Sequence, residues 1–195
     1  MFELASLPAT FTTATALAYG VHPRQLYRWR DDGDILELSR GVFRQVDAPP
    51  ATYPDLLAVA QRSAIAIACC RTAAAIHDLS DEIPPGVQIA VPTRHRPPHI
   101  AYPRTEVFRF DATHFELGLS RVEAAPGEWV RIYDAARTVI DLMRLRGRFG
   151  EPLAHAALHR YLRLRNARPA QLLNLAEQLD VYGPVRRALD VAMAQ

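Results

Sequence analysis

Apolar positions along the first fifty residues change period once. Over 11–20 they fall at Ala14, Leu17 and Ala18, the i, i+3, i+4 spacing of one helical face. Thr12 or Thr13 can cap this first helix, since a hydroxyl accepts the free N–H groups of a first turn, and Gly20 can end it. Pro23 suits the opening of a second helix, where its missing N–H would have been an orphan donor. In that helix Leu26 and Trp29 point one way, with Val21 of the turn beside them. Arg24, Gln25, Tyr27 and Arg28 take the other faces, and Gly33 closes it. From Ile35 the pattern becomes that of strands: 35–38 and 42–45 flank Ser39-Arg40-Gly41 as a small hairpin. Helix, turn, helix, hairpin is the order of a winged helix-turn-helix.

The rest of the chain alternates less regularly. A short helix is expected over 1–7, stopped by Pro8. The run Asp47-Ala48-Pro49-Pro50 reads as a linker, because consecutive prolines join neither a sheet nor a helix interior. This divides the chain into a winged helix-turn-helix domain over 1–48 and an α/β domain over 53–195. The second region predicts a helix over 54–62, a buried strand over 63–68 and a helix over 72–79. Strands are expected at 87–91, 106–110, 117–124 and near 129–132, and in 106–110 Phe108 and Phe110 share the core face while Val107 and Arg109 share the other. The last third is helical: 135–145 capped by Asp134, a helix carrying Leu153, Ala157, Leu158 and Tyr161, one opened by Pro169, and a short last helix after Gly183-Pro184. The expected fold class is α+β: an N-terminal winged helix-turn-helix, then an α/β domain with a small mixed or antiparallel sheet and a C-terminal helical bundle.

Arginine and glutamine are the side chains that pair with guanine and adenine edges in the major groove, so Arg24, Gln25, Tyr27 and Arg28 form the candidate reading face. Arg40 and Arg44, on the expected wing, suit phosphate or the minor groove. Charge does not enforce this reading: residues 11–44 hold five arginines against four acids, and a protein-docking role for the same module stays open. A second basic stretch, PTRHRPPHIAYPR over 92–104, concentrates Arg94, His95, Arg96, His99 and Arg104 between two strands. It reads either as a surface for a polyanion or acidic partner, or as a solvated loop.

The run F-T-T-x-x-A-L-A-x-G-V-x-x-x-x-L-x-R-W-x-x-x-G-x-I-L-x-L-x-R-G-V-F-R over 11–44 resembles the N-terminal domain of AbiEi-type antitoxins, and the closing R-G-V-F-R is its most telling part. The segment 130–142, VRIYDAARTVIDL, is similar to a stretch of that family's C-terminal domain. The resemblance implies an antitoxin of a bacterial toxin–antitoxin or abortive-infection pair. Its partners would be operator DNA upstream of its own operon and a cognate nucleotidyltransferase-like toxin, opposed directly or functionally. Two alternatives remain: an antitoxin that inactivates its toxin by atypical phosphoryl transfer, and a plain winged-helix transcriptional regulator.

Composition narrows the chemistry. All 23 basic residues are arginine, so a P-loop, a conventional kinase lysine and a Schiff base are ruled out in their usual form. A net charge of +2 argues neither for nor against nucleic acid. Cys69 and Cys70 are adjacent and make no metal-binding CxxC; two reduced, buried thiols in a cytoplasmic protein are expected. The N-terminus lacks a signal-peptide pattern, and no apolar run is long enough to span a membrane. His155 and His159 lie one turn apart without a third ligand in view, and Arg137 and Asp141 suggest an ordinary intrahelical ion pair. No catalytic constellation, metal site or cofactor site is expected.

Overall fold

The computed structural model describes residues 3–193, so the first two positions of the helix expected over 1–7 lie outside the described residues. The remainder of that stretch holds a single 3₁₀ turn, Leu4–Ser6. The chain then forms strand β1 (Thr10–Thr12), helices α1 (Thr13–Ala18) and α2 (Pro23–Asp32), and strands β2 (Ile35–Ser39) and β3 (Val42–Gln45). These three strands make one antiparallel sheet in the order β1-β3-β2, with Phe11 opposite Phe43 and Ser39 opposite Val42. Strand β1 is not visible in the sequence pattern. Three residues hold too few alternations to announce a strand, and their partners lie about thirty residues away.

Both helices end in the same way. Val21 N–H reaches the Ala16 carbonyl at 3.0 Å and Gly20 N–H the Leu17 carbonyl at 2.9 Å, with Gly20 at φ +86. At the end of α2, Asp34 N–H bonds the Trp29 carbonyl at 2.8 Å and Gly33 N–H the Arg30 carbonyl at 3.2 Å, with Gly33 at φ +84. Each is a Schellman closure that satisfies otherwise orphaned carbonyls. Thr12 caps α1 by accepting from Thr15 N–H at 3.0 Å, and Pro23 opens α2 as expected.

A core of Leu7, Phe11, Ala16, Val21, Leu26, Trp29, Ile35 and Phe43 lies beneath these elements. Burying a side chain such as Leu26 or Phe11 contributes roughly 1.5–3 kcal/mol. The face expected on α1 is corrected: Ala14, Leu17 and Ala18 are exposed, and Ala16 is the buried residue. The helix has only six residues, and its rotation is set by β1 pairing with β3 on one side and the Ala16–Val21 closure on the other.

By compactness the chain forms two units. The first runs to Ala66 and includes 98–105 and 122–130; the second comprises 67–97, 106–121 and 131–195. Helix α3 (Pro54–Arg62) therefore belongs with the first unit, beyond the 48/53 boundary expected from the prolines.

The second sheet is mixed. Its strands are β4 (Ile67–Ala68), β5 (Val87–Pro92), β6 (Thr105–Phe110), β7 (Leu119–Ala125) and β8 (Glu128–Tyr133), in the order β6-β5-β4-β8-β7. Strand β4 runs antiparallel to β5 and parallel to β8. It is far shorter than the 63–68 expected, because alanine-rich sequence gives a strand little to pack with. Phe108 and Phe110 face the core as their alternation implies. Residues 122–130 of β7 and β8 count with the first unit, whereas helices α4 (Cys70–Ile76), α5 (Ala135–Arg144), α6 (Arg146–Phe149), α7 (Glu151–Leu162), α8 (Pro169–Gln178) and α9 (Tyr182–Met193) all lie in the second, with α5 packed against α4, α7 and α8. The last helix is not short: Gly183 and Pro184 sit in its first turn, where proline is tolerated.

Candidate nucleic-acid interface

Helix α2 is held from one side only. Leu26 and Trp29 are buried, while Arg24, Tyr27 and Arg28 are exposed and Gln25 is half-buried. The His22 ring caps its start, Nδ1 accepting from Arg24 N–H at 3.2 Å. Ten residues at 1.5 Å per residue make a rod of about 15 Å, long enough to lie in a major groove. Of the three acids beside this face, Asp32 pairs with Arg28 at 3.3 Å and Asp31 with Arg30 at 2.8 Å, while Asp34 is exposed without an ion-pair partner among the described residues. Arg30, not singled out in the sequence, also stacks on Tyr27 with its guanidinium 5.1 Å from the ring centre, and the Asp31 carboxylate raises its pKa. Arg24 is left without an ion-pair partner among the described residues.

The β2–β3 hairpin turns through Arg40 and Gly41, with a bulge between Glu37 and Ser39. Gly41 sits at φ +73, and a Cβ there would lie 3.1 Å from the Thr13 hydroxyl. Arg40 is exposed at the tip.

Arg44 is a correction. It was expected on the nucleic-acid face, yet it is 5% exposed. Its guanidinium donates to the Thr10 hydroxyl, the Pro49 carbonyl and the Glu128 carboxylate. A guanidinium held this way is committed to the fold and offers nothing to a phosphate. Glu128, at the start of β8 and within the same compact unit, could not have been matched to it from sequence, because 84 residues separate them.

The basic stretch 92–104 is divided between the two units. Arg94, His95 and Arg96 are exposed in the second unit, whereas His99 and Arg104, also exposed, count with the first.

Arg137 and Asp141 of the second unit form the expected intrahelical ion pair, but in a buried setting that makes it no ordinary one. Their pair, 3.0 Å apart, is 1% and 0% exposed. Arg137 also donates to the His114 carbonyl at 3.0 Å and the Leu117 carbonyl at 2.6 Å, and stacks 4.2 Å from the Tyr133 ring centre. Asp141 takes a second bond, from Arg144 at 2.9 Å. Burial raises the Asp141 carboxyl above its ordinary range, against the opposing pull of these two arginines, and likewise pushes the Tyr133 phenol and the Cys69 thiol up. Gly118 makes room for this arrangement, since a Cβ there would lie 2.5 Å from the Arg137 Cβ, at φ +74. The adjacent cavity of about 320 Å³ is lined by Asp111 and Asp180 as well as His114, Arg137 and Arg144, so its charges offset.

Cys69 and Cys70 are both free and buried. Among the described residues no three His, Cys, Asp or Glu side chains gather as a metal group, and no helix is long and apolar enough to cross a membrane. No curated protein matches the chain. Residues 1–44, which carry α2 and nearly all of the hairpin, match the model of the family described as "Transcriptional regulator, AbiEi antitoxin", and over that stretch the chain is similar to an antitoxin-type regulator.

Proposed function

We propose that this chain is a DNA-binding antitoxin that represses its own operon and opposes a nucleotidyltransferase-like toxin. The observation that carries the DNA half is the one-sided burial of α2. Leu26 and Trp29 anchor it, and Arg24, Gln25, Tyr27 and Arg28 remain on the free side, next to a hairpin tipped by Arg40. In this reading α2 enters the major groove, the β2–β3 hairpin is the wing, and residues of the second unit act against the toxin. The match over 1–44 supports the regulator and antitoxin roles together. The two buried thiols suit a reducing compartment such as the cytoplasm.

The test is fluorescence-anisotropy binding of the full chain to duplex DNA from upstream of its own gene. Arg24→Ala/Arg28→Ala should abolish the preference for that duplex over a scrambled one without changing the thermal unfolding midpoint. Equal affinity of the unaltered protein for both duplexes would overturn the repressor role. Growth rescue on co-expression with the adjacent toxin gene tests the antitoxin role separately.

A further inference from the structure

We propose that Arg62, at the end of α3, and Arg104, on the 98–105 loop, join Arg40 in a phosphate-binding cluster around the hairpin tip, so that the DNA surface extends beyond the segment that matches the regulator family. This rests on the preceding reading of α2 and the hairpin, and adds contacts that neither element supplies.

Two hydrogen bonds bring the cluster together. Arg62 Nη1 donates to the Arg40 carbonyl at 3.3 Å, which places an exposed guanidinium at the two-residue turn. Ser39, 5% exposed, donates its hydroxyl to the Tyr102 carbonyl, which ties a loop 63 residues further along to the end of β2. From that loop Arg104 reaches solvent, as do His99 and the Tyr102 ring, which is 64% exposed. All these residues count within the same compact unit.

Arg40, Arg62 and Arg104 have no carboxylate partner among the described residues. The acid closest in sequence to the tip, Glu37, is already engaged: it accepts from Gly41 N–H at 3.1 Å and faces Arg30 at 3.9 Å. Three cations drawn from three separate segments, with no structural counter-charge, form a surface that a polyanion neutralises. DNA is the polyanion favoured here, because the neighbouring helix in the same unit offers Arg24, Gln25 and Arg28 for base edges. Phosphate contacts position a protein on the duplex and carry no sequence information themselves.

The test is a salt titration of full-length protein on the upstream duplex, comparing the unaltered chain with Arg62→Ala, Arg104→Ala and Arg62→Lys. Each lost phosphate contact should lower the slope of log K against log salt by about 0.9, with preference for the duplex retained. Arg62→Lys keeps the charge and should keep the slope, which separates contact loss from damage to the fold. Sequence-preferring binding by the unaltered chain together with unchanged slopes for both alanine variants would overturn the cluster and leave the α2 reading intact. Absence of any preference in the unaltered chain would overturn both.

Discussion

The same spacing, arginine to aspartate at i and i+4, occurs on α2 and on α5 with opposite consequences. Arg28 and Asp32 lie 3.3 Å apart with 72% and 55% of their side chains exposed; Arg137 and Asp141 lie 3.0 Å apart with 1% and 0%. The first pair sits in water and salt, where such contacts contribute little and either partner can leave for a better one. The second pair has lost its water, and each charge depends on the other and on the carbonyls and rings around it. An arginine is therefore available for recognition on α2 and committed to structure on α5, although the local sequence is alike.

The largest expected effect lies in the buried pair. Asp141→Ala or Arg137→Ala should cost about 3–5 kcal/mol in chemical denaturation, because an uncompensated charge is left inside. Asp32→Ala, the exposed counterpart, should change stability by less than about 0.5 kcal/mol. Equal losses at the two pairs would mean that environment does not separate them. Next comes Arg44 against Arg40, two arginines of one hairpin. Arg44→Ala should lower stability by about 3 kcal/mol, since it strands Glu128 and two further acceptors, while Arg40→Ala should weaken DNA binding and leave the unfolding midpoint in place. A smaller loss is expected at Gly118. Alanine there should cost more than about 1 kcal/mol, from the positive φ and the approach to Arg137, and an unchanged urea midpoint would show that the Arg137 site can relax.

Local elements were largely legible. Pro23 and Gly33 bracket α2 within a residue of the expected limits, α3 runs over the expected 54–62, and Asp134 caps α5, accepting from Arg137 N–H at 2.7 Å. Each signal acts over short stretches, so the chain declares it. The misses share a cause. Strand β1, the rotation of α1 and the fate of Arg44 all depend on pairing between segments distant in sequence. The candidate reading residues Arg24, Tyr27 and Arg28 lie on the exposed side as expected, because Leu26 and Trp29 betray the buried one. Arg62 carries no such signal, for nothing near it foretells that α3 ends beside the hairpin turn.

Periodicity, caps and glycine positions were enough to set helix against strand and to orient α2, because these properties belong to short stretches of chain, and composition alone excluded lysine chemistry. Which arginines outside α2 face water was settled only in three dimensions. A guanidinium's role depends on the carboxylates, carbonyls and rings brought to it by folding, and for Arg44 and Arg137 those groups lie up to 84 residues away.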